Sequence, residues 1–300
     1  MNYYLQVLMV IGINIILAVS LNLVSGFTGQ LSLGHATFMG IGAYTATLLA
    51  LKLHVPFLIA IIIGAVTAAF FGFIIGVPTL RLRGDYLAIA TLGFGEIMRN
   101  ILLNLKITGG PMGLRGIPKV TNIYIVAAAV IMVIFSLNRI MNSRVGKAFI
   151  AIREDELAAE AMGINTTNYK ILAFAIGAFY AGIAGGLFAF LFRYINPNNF
   201  GFMKSIEILC MVVLGGMGNT AGAILGAAML TILPEFLRSV SPVISQYRMV
   251  FYGLLLVVMM IVRPQGLLSD TSFSFLKSSM FRKMRPGKIA RREGNESDAS

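Results

Sequence analysis

The stretch 139–170, RIMNSRVGKAFIAIREDELAAEAMGINTTNYK, decides how the rest of the chain is read. It is the one long polar segment between two strongly apolar regions. It carries the bases Arg139, Arg144, Lys147, Arg153 and Lys170 and the acids Glu154, Asp155, Glu156 and Glu160. So much charge cannot lie in hydrocarbon, so the segment occupies water on one side of a bilayer. Within it, Glu154, Asp155 and Glu156 open the helix-favouring run ELAAEAM, and acidic residues suit the positive end of a helix. Gly163 follows where a helix would stop, because a residue without Cβ takes the left-handed conformation easily. Asn165 and Thr166 are turn and cap residues for the next helix. The expectation is a short amphipathic helix over 154–163. It serves either as a docking element or as an ordinary solvated loop helix.

Working outward, 57% of the residues are hydrophobic and 12% charged, with a mean hydropathy of +0.84. A soluble domain carries about 25% charged residues. Apolar runs near span length recur at about 4–24, up to 51, 56–78, 87–105, 123–140 and 171–192. Two shorter segments follow at about 206–214 and 221–233, and a last run at about 249–262. None shows the alternating pattern of a barrel strand. The expected fold class is an all-α polytopic membrane protein with about 8–10 transmembrane helices. Residues 1–268 are expected to form the transmembrane domain with a polar loop at 142–169, and 269–300 a basic tail expected to be disordered. The first span has no basic flank and no small-residue cleavage pattern, so it reads as retained.

The net charge of +12 belongs to topology and not to nucleic acid, because the basic residues sit between and after apolar runs. With the central loop inside, fifteen Lys and Arg lie inside and eight outside, Lys204 among the latter. That places the N-terminus outside and the central loop and C-terminus in the cytoplasm. The single Cys210 excludes an intrachain disulfide, and His35 and His54 alone cannot make a typical zinc site.

Two stretches break the apolar pattern. Gly26-Phe-Thr-Gly29-Gln30-Leu-Ser32 and Gly215-Gly-Met-Gly218-Asn219-Thr-Ala221 share two glycines three apart, then an amide, then a small residue. They lie 189 residues apart, beside a hydrophobic segment in each half. Paired breaks of this kind point to a transport path and to an inverted-repeat-like arrangement with two re-entrant elements. Gly29, Gln30, Ser32, His35 and Thr37 of the first break, with Gly218 and Asn219 of the second, are the candidate path residues. Their polar groups would line water or hydrogen-bond between helices. Intramembrane charge is sparse, with Glu96 and Arg99 three apart on one helix and Glu207 opening the seventh segment.

The order and spacing of several motifs make a wider match. SLNLVSGFTGQLSLGHATFMGIGAYTATLL, RLRGDYLAIATLGFGEIMRN, TGGPMGLRGIP, REDELAAEAMGIN, VLGGMGNTAGAILGA and RPQGLL resemble the LivM-type permeases of branched-chain amino-acid ABC importers. The resemblance covers about residues 15–268. It implies a multi-pass subunit of a bacterial or archaeal plasma membrane, working with a paralogous LivH-type permease. It also implies two cytoplasmic ATPase subunits that bind the ATP, and an extracytoplasmic amino-acid-binding protein. EDELAAEAMGIN is similar to the EAA loop that docks on the ATPase. Glu154, Asp155, Glu156, Ala158, Ala159, Glu160, Ala161 and Gly163 are the coupling residues so implied. The chain carries no GxxxxGK[ST] loop, so it reads as a transport subunit and not an enzyme, with no cofactor of its own. Permeases for urea, short amides or sugars, and ion-driven secondary transporters, are the competing readings.

Overall fold

The computed structural model describes residues 3–79, 82, 84–240, 253, 257, 266 and 267, with backbone alone for 236–240. The expected span at 249–262 and the tail at 269–300 lie outside the described residues, Gly253 and Val257 apart. The described chain is helical almost throughout. α1 (Tyr3–Leu21) runs on through a π-helical segment (Asn22–Phe27). There follow α2 (His35–Lys52), α3 (Phe57–Thr79), α4 (Asp85–Asn104) and α5 (Ile123–Met141). Then come α6 (Arg144–Glu154), α7 (Glu156–Ala161), α8 (Thr166–Phe192), α9 (Phe202–Gly215) and α10 (Thr220–Val240).

Among the described residues five helical units are long and apolar enough to cross a membrane: Tyr3–Phe27, Phe57–Thr79, Asp85–Asn104, Ile123–Met141 and Thr166–Phe192. Their burial sorts them. Tyr3–Phe27 is 72% buried and Thr166–Phe192 67%, whereas Phe57–Thr79, Asp85–Asn104 and Ile123–Met141 are 33%, 22% and 17% buried. α1 and α8 are therefore the central posts, and α3, α4 and α5 wrap them with an apolar outer surface. Exposed Ile62, Phe70, Ile131 and Phe135 on that surface suit hydrocarbon, not water.

Lipid supplies no hydrophobic drive between helices, so close backbone approach must hold the bundle. The seam of α2, α3 and α8 is built that way. A Cβ on Gly42 would fall on Gly182, and one on Gly182 would fall on Ala65. The α9–α10 hairpin closes likewise, Gly215 against Gly222 and Gly226 against Met211 and Gly215. At the far end, the loop carrying TGGPMGLRGIP pairs β1 (Leu114–Arg115) antiparallel with β2 (Tyr194–Ile195), and Asn196 Nδ2 donates to Pro111 O at 2.8 Å.

The two breaks meet in space. Gly218 N–H donates to Asn22 Oδ1 at 2.8 Å, and Gly26 lies against Gly218. α1 and α9 both run toward this end and turn back there into α2 and α10, so the two elements run in the same sense and not an inverted one. Likeness of two short sequences carries no direction, and packing supplies it. α9 has 14 residues, about 21 Å, too short to cross the ~30 Å core. It starts at mid-depth: Lys204, near its beginning, places Nζ 3.3 Å from Asn14 Oδ1, halfway along the 25-residue Tyr3–Phe27 unit. Lys204 thus reaches the middle of the Tyr3–Phe27 unit.

Candidate functional site

The first break is an ordered structure. After the π-helical turn, Gln30 N–H donates to Val24 O, Thr28 Oγ1 donates to Val24 O at 2.5 Å, and Ser25 Oγ donates to Gln30 O at 3.0 Å. Hydroxyls thereby take up part of the hydrogen bonding that the interrupted helix gives up. α2 then begins inside the bundle, and two of the N–H groups around its start find partners on other helices. Leu33 N–H donates to Thr91 Oγ1 of α4 at 3.0 Å, and Ala36 N–H to Ser205 Oγ of α9 at 3.1 Å. A helix end buried in protein requires such partners. Neither Thr91 nor Ser205 carries a sequence signal that distinguishes it from a packing residue.

The candidate path residues divide. Gln30, Ser32, His35 and Thr37 are all buried within this chain. His35 Nε2 lies 2.8 Å from Ser20 Oγ, and Ser20 gives its own proton to Leu17 O. The imidazole is therefore the donor in that contact, and His35 ties α2 to α1 as a structural group. Thr37 sits over Gly95 and, with Arg99 and Phe200, lines a crevice of about 10 Å³. Ser32 Oγ and both amide atoms of Gln30 are buried without a hydrogen-bond partner. Asn219 caps α10, its Oδ1 accepting from Ala221 N–H at 2.9 Å and Gly222 N–H at 3.3 Å.

Gly29 and Gly218 lie at the junction of the breaks, with φ of +70° and +87°. One side chain spans both. A Cβ on Gly29 would lie 3.6 Å from Arg153 Cγ, and one on Gly218 would meet the Arg153 guanidinium. Arg153 is the functional candidate that sequence reasoning missed, because in the sequence it is one base among five in a polar loop. Around it lies a cavity of about 250 Å³. Gly29 and Gln30 line it from the first break, Gly84 and Leu87 from the start of α4, and Arg153 and Glu156 from the polar segment.

That segment is two helices where one was expected. α6 begins at Arg144, and its burial of Ala148, Phe149 and Ile152 shows an apolar stripe at helical spacing that the charges obscure. The chain bends at extended Asp155, which accepts from Leu157 N–H at 2.9 Å and Ala158 N–H at 3.0 Å and so caps α7. α7 ends at left-handed Gly163 (φ +84°), with Ile164 N–H returning to Ala159 O and Gly163 N–H to Glu160 O. This is the Schellman pattern. Asn165 Oδ1 then caps α8 through Asn168 N–H, and Glu156 pairs with Lys170 of α8. Ala159 is 5% exposed and packs against its own chain. Leu157, Ala158, Ala161 and Met162 face outward, Leu157 at 65% and Met162 at 82% exposure.

Exposed apolar side chains on α7 lie beside two interrupted elements that meet in a helix bundle. The family model described as "Branched-chain amino acid transport system / permease component" matches residues 3–260. The chain belongs to that family. It is 40% identical to the high-affinity branched-chain amino acid transport system permease protein LivM of Salmonella typhimurium, over 86% of this chain and 68% of that protein. The LivM of Escherichia coli is 41% identical over the same shares. The corresponding LivH of Escherichia coli is 38% identical over 42% of this chain and 40% of its own length. No solved structure matches the chain. Membership in a permease family and the apolar helices make this a multi-pass membrane protein.

Proposed function

We propose that this chain is one of two permease subunits of an ATP-driven importer of branched-chain amino acids. A LivH-type permease is its partner in the membrane. Of two cytoplasmic ATPase subunits one docks on α7, and an extracytoplasmic binding protein delivers the substrate. The observation that carries the reading is the joint between α6–α7 and the breaks. Arg153, at the end of α6, touches the glycines of both interrupted elements, and the cavity beside it is lined by the first of them and by the polar segment. A force applied at α7 reaches the breaks through one side chain. Leu157, Ala158, Ala161 and Met162 are the surface that meets the ATPase, and Asp155, Glu156 and Gly163 fix the angle of that surface. Gly29, Gln30, Ser32 and Gly218 belong to the moving gate, and the unpartnered amide of Gln30 finds water when the gate opens.

The test uses proteoliposomes holding the whole complex, with binding protein and leucine outside and ATP inside. Leucine should accumulate with ionophores present and stop when ATP is withdrawn. Uptake that collapses with the ion gradients and ignores ATP assigns a secondary transporter instead. Retention of urea or an amide in place of leucine by the complex's own binding protein reassigns the substrate.

A further inference from the structure

Four charged side chains lie on α4 and α9, around the first turns of α9. Arg99 Nη1 pairs with Glu96 on α4 at 2.8 Å, and Lys204 Nζ pairs with Glu207 on α9 at 3.3 Å. The two pairs share one neighbourhood. Arg99 donates through Nε and Nη2 to Asn198 Oδ1, at 3.1 and 2.9 Å, in the turn that leads into α9. Its Cδ lies 3.6 Å from where a Cβ on Gly201, the residue preceding α9, would stand. Lys204 reaches Asn14 at the midpoint of α1.

None of the four is sealed in the bundle. The side chains of Arg99 and Glu96 are 35% and 36% exposed, those of Lys204 and Glu207 19% and 20%. Hydrocarbon cannot cover that surface, because even paired ions there are rare and face a cavity or protein. What covers it is water or the polar face of another protein. The face also holds the start of a half-length helix, and no side chain caps Gly201. A helix beginning at mid-depth aims the positive end of its dipole there, which favours a carboxylate.

We propose, on the basis that the chain is an amino-acid importer, that this face of α4 and α9 is its share of the substrate path and holds the zwitterionic backbone of the amino acid. Arg99, Lys204 and the start of α9 receive the carboxylate, while Glu96 and Glu207 receive the ammonium. When no substrate is present the ion pairs neutralise one another. When it arrives each pair opens and the exchange is charge-neutral. Recognition at this depth is then indifferent to the side chain, and the buried Gln30, Ser32 and His35 need not touch the substrate at all.

Two measurements on the full complex in proteoliposomes test this. The first reads water. In a Cys210→Ser background, Glu207→Cys should react with a membrane-impermeant methanethiosulfonate reagent, and leucine with ATP should slow the reaction. Ile131→Cys on α5, 67% exposed and apolar in setting, is the lipid-facing control and should stay unreactive. A Glu207→Cys protein as unreactive as the control overturns the proposal. The second reads transport. Glu96→Gln with Arg99→Gln leaves no net charge behind, and should lower leucine uptake about ten- to a hundredfold with subunit stoichiometry unchanged, the range expected for lost hydrogen bonds to charged groups. Parental uptake overturns it, and so does loss of the sister permease on purification, which assigns the face to the subunit interface. If the parent complex itself takes up no leucine, the importer reading fails, and the labelling still decides whether the face is wet.

Discussion

Gly26→Ala is the sharpest probe of the joint between the two breaks. A Cβ at Gly26 would lie under 3.0 Å from both Asn22 Oδ1 and the Gly218 nitrogen, the two atoms that form the 2.8 Å hydrogen bond between the breaks. One partner is backbone and the other a buried amide, so neither retreats cheaply. Overpacking of this kind costs about 1–3 kcal/mol. Separating the pair leaves a buried N–H without its acceptor, for about 1–3 kcal/mol more. The expected loss is therefore about 2–6 kcal/mol in the state in which the breaks touch. Gly93→Ala is the matched control, because nothing lies within 4 Å of a Cβ there and alanine favours a helix by about 1 kcal/mol. The assay is thermal unfolding of the purified complex in detergent, with ATP-driven leucine uptake in parallel. Gly26→Ala should melt roughly 5–10 °C below the parent and lose uptake. Gly93→Ala should match the parent in both. A Gly26→Ala protein that melts with the parent and transports normally would falsify the view that the breaks are locked to each other.

Four further outcomes follow from the same geometry. Gln30→Leu removes two unpartnered buried polar atoms, so the protein should be as stable as the parent or more so; if uptake nevertheless falls, Gln30 serves the gate, and unchanged uptake removes it from the path. Gly163→Val forces a β-branched residue to a φ of +84°, at about 1–3 kcal/mol, and should reduce ATPase copurification; normal stoichiometry would refute the docking role of α7. Arg153→Ala should leave ATP hydrolysis and assembly near parental levels while uptake falls at least about tenfold, whereas hydrolysis and uptake falling together would mean that Arg153 is merely structural. Asn165→Cys in a Cys210→Ser background should resist impermeant maleimide in intact cells, and ready labelling would invert the orientation.

Much of the architecture was legible because it is written locally. The span at 123–140 reads directly as a run of apolar residues, and α5 runs Ile123–Met141. The end of α7 at Gly163 and the cap at Asn165 follow from backbone preference and a side-chain oxygen at the right offset. α6 escaped because its Ala148, Phe149 and Ile152 stripe is diluted by Lys147 and Arg153, and the charges dominate the composition of the window. The reach of Lys204 escaped for a different reason. A lysine after a polar turn reads as a loop residue, and only the short α9 dropping from mid-depth carries it beside Asn14. Contact between the breaks joins residues 196 apart, so no local pattern could have disclosed it. Arg153 and the charged face both depend on such contacts.

The breaks and the charged face form one device because α9 belongs to both. Its N-terminal turn carries Lys204 and Glu207, and its C-terminal glycines touch Gly222 and lead to Gly218 at Arg153. A 14-residue helix is stiff over its length, so a displacement at its last residue, Gly215, moves Lys204 with it. Asn14 is fixed to α10 through Thr231 at 2.9 Å, and Arg99, carried by α4 and paired there with Glu96, also holds Asn198 ahead of α9. Ser205 also holds the start of α2 through Ala36 N–H, so a shift of α9 acts on the first break from above while Arg153 acts on it from below. Pushing on α7 would then change the spacing between Lys204 and Arg99, the two cations that face the carboxylate. Under this geometry, coupling needs no wire of side chains across the membrane. It needs one short helix, interrupted at both ends, whose two ends sit in two different sites.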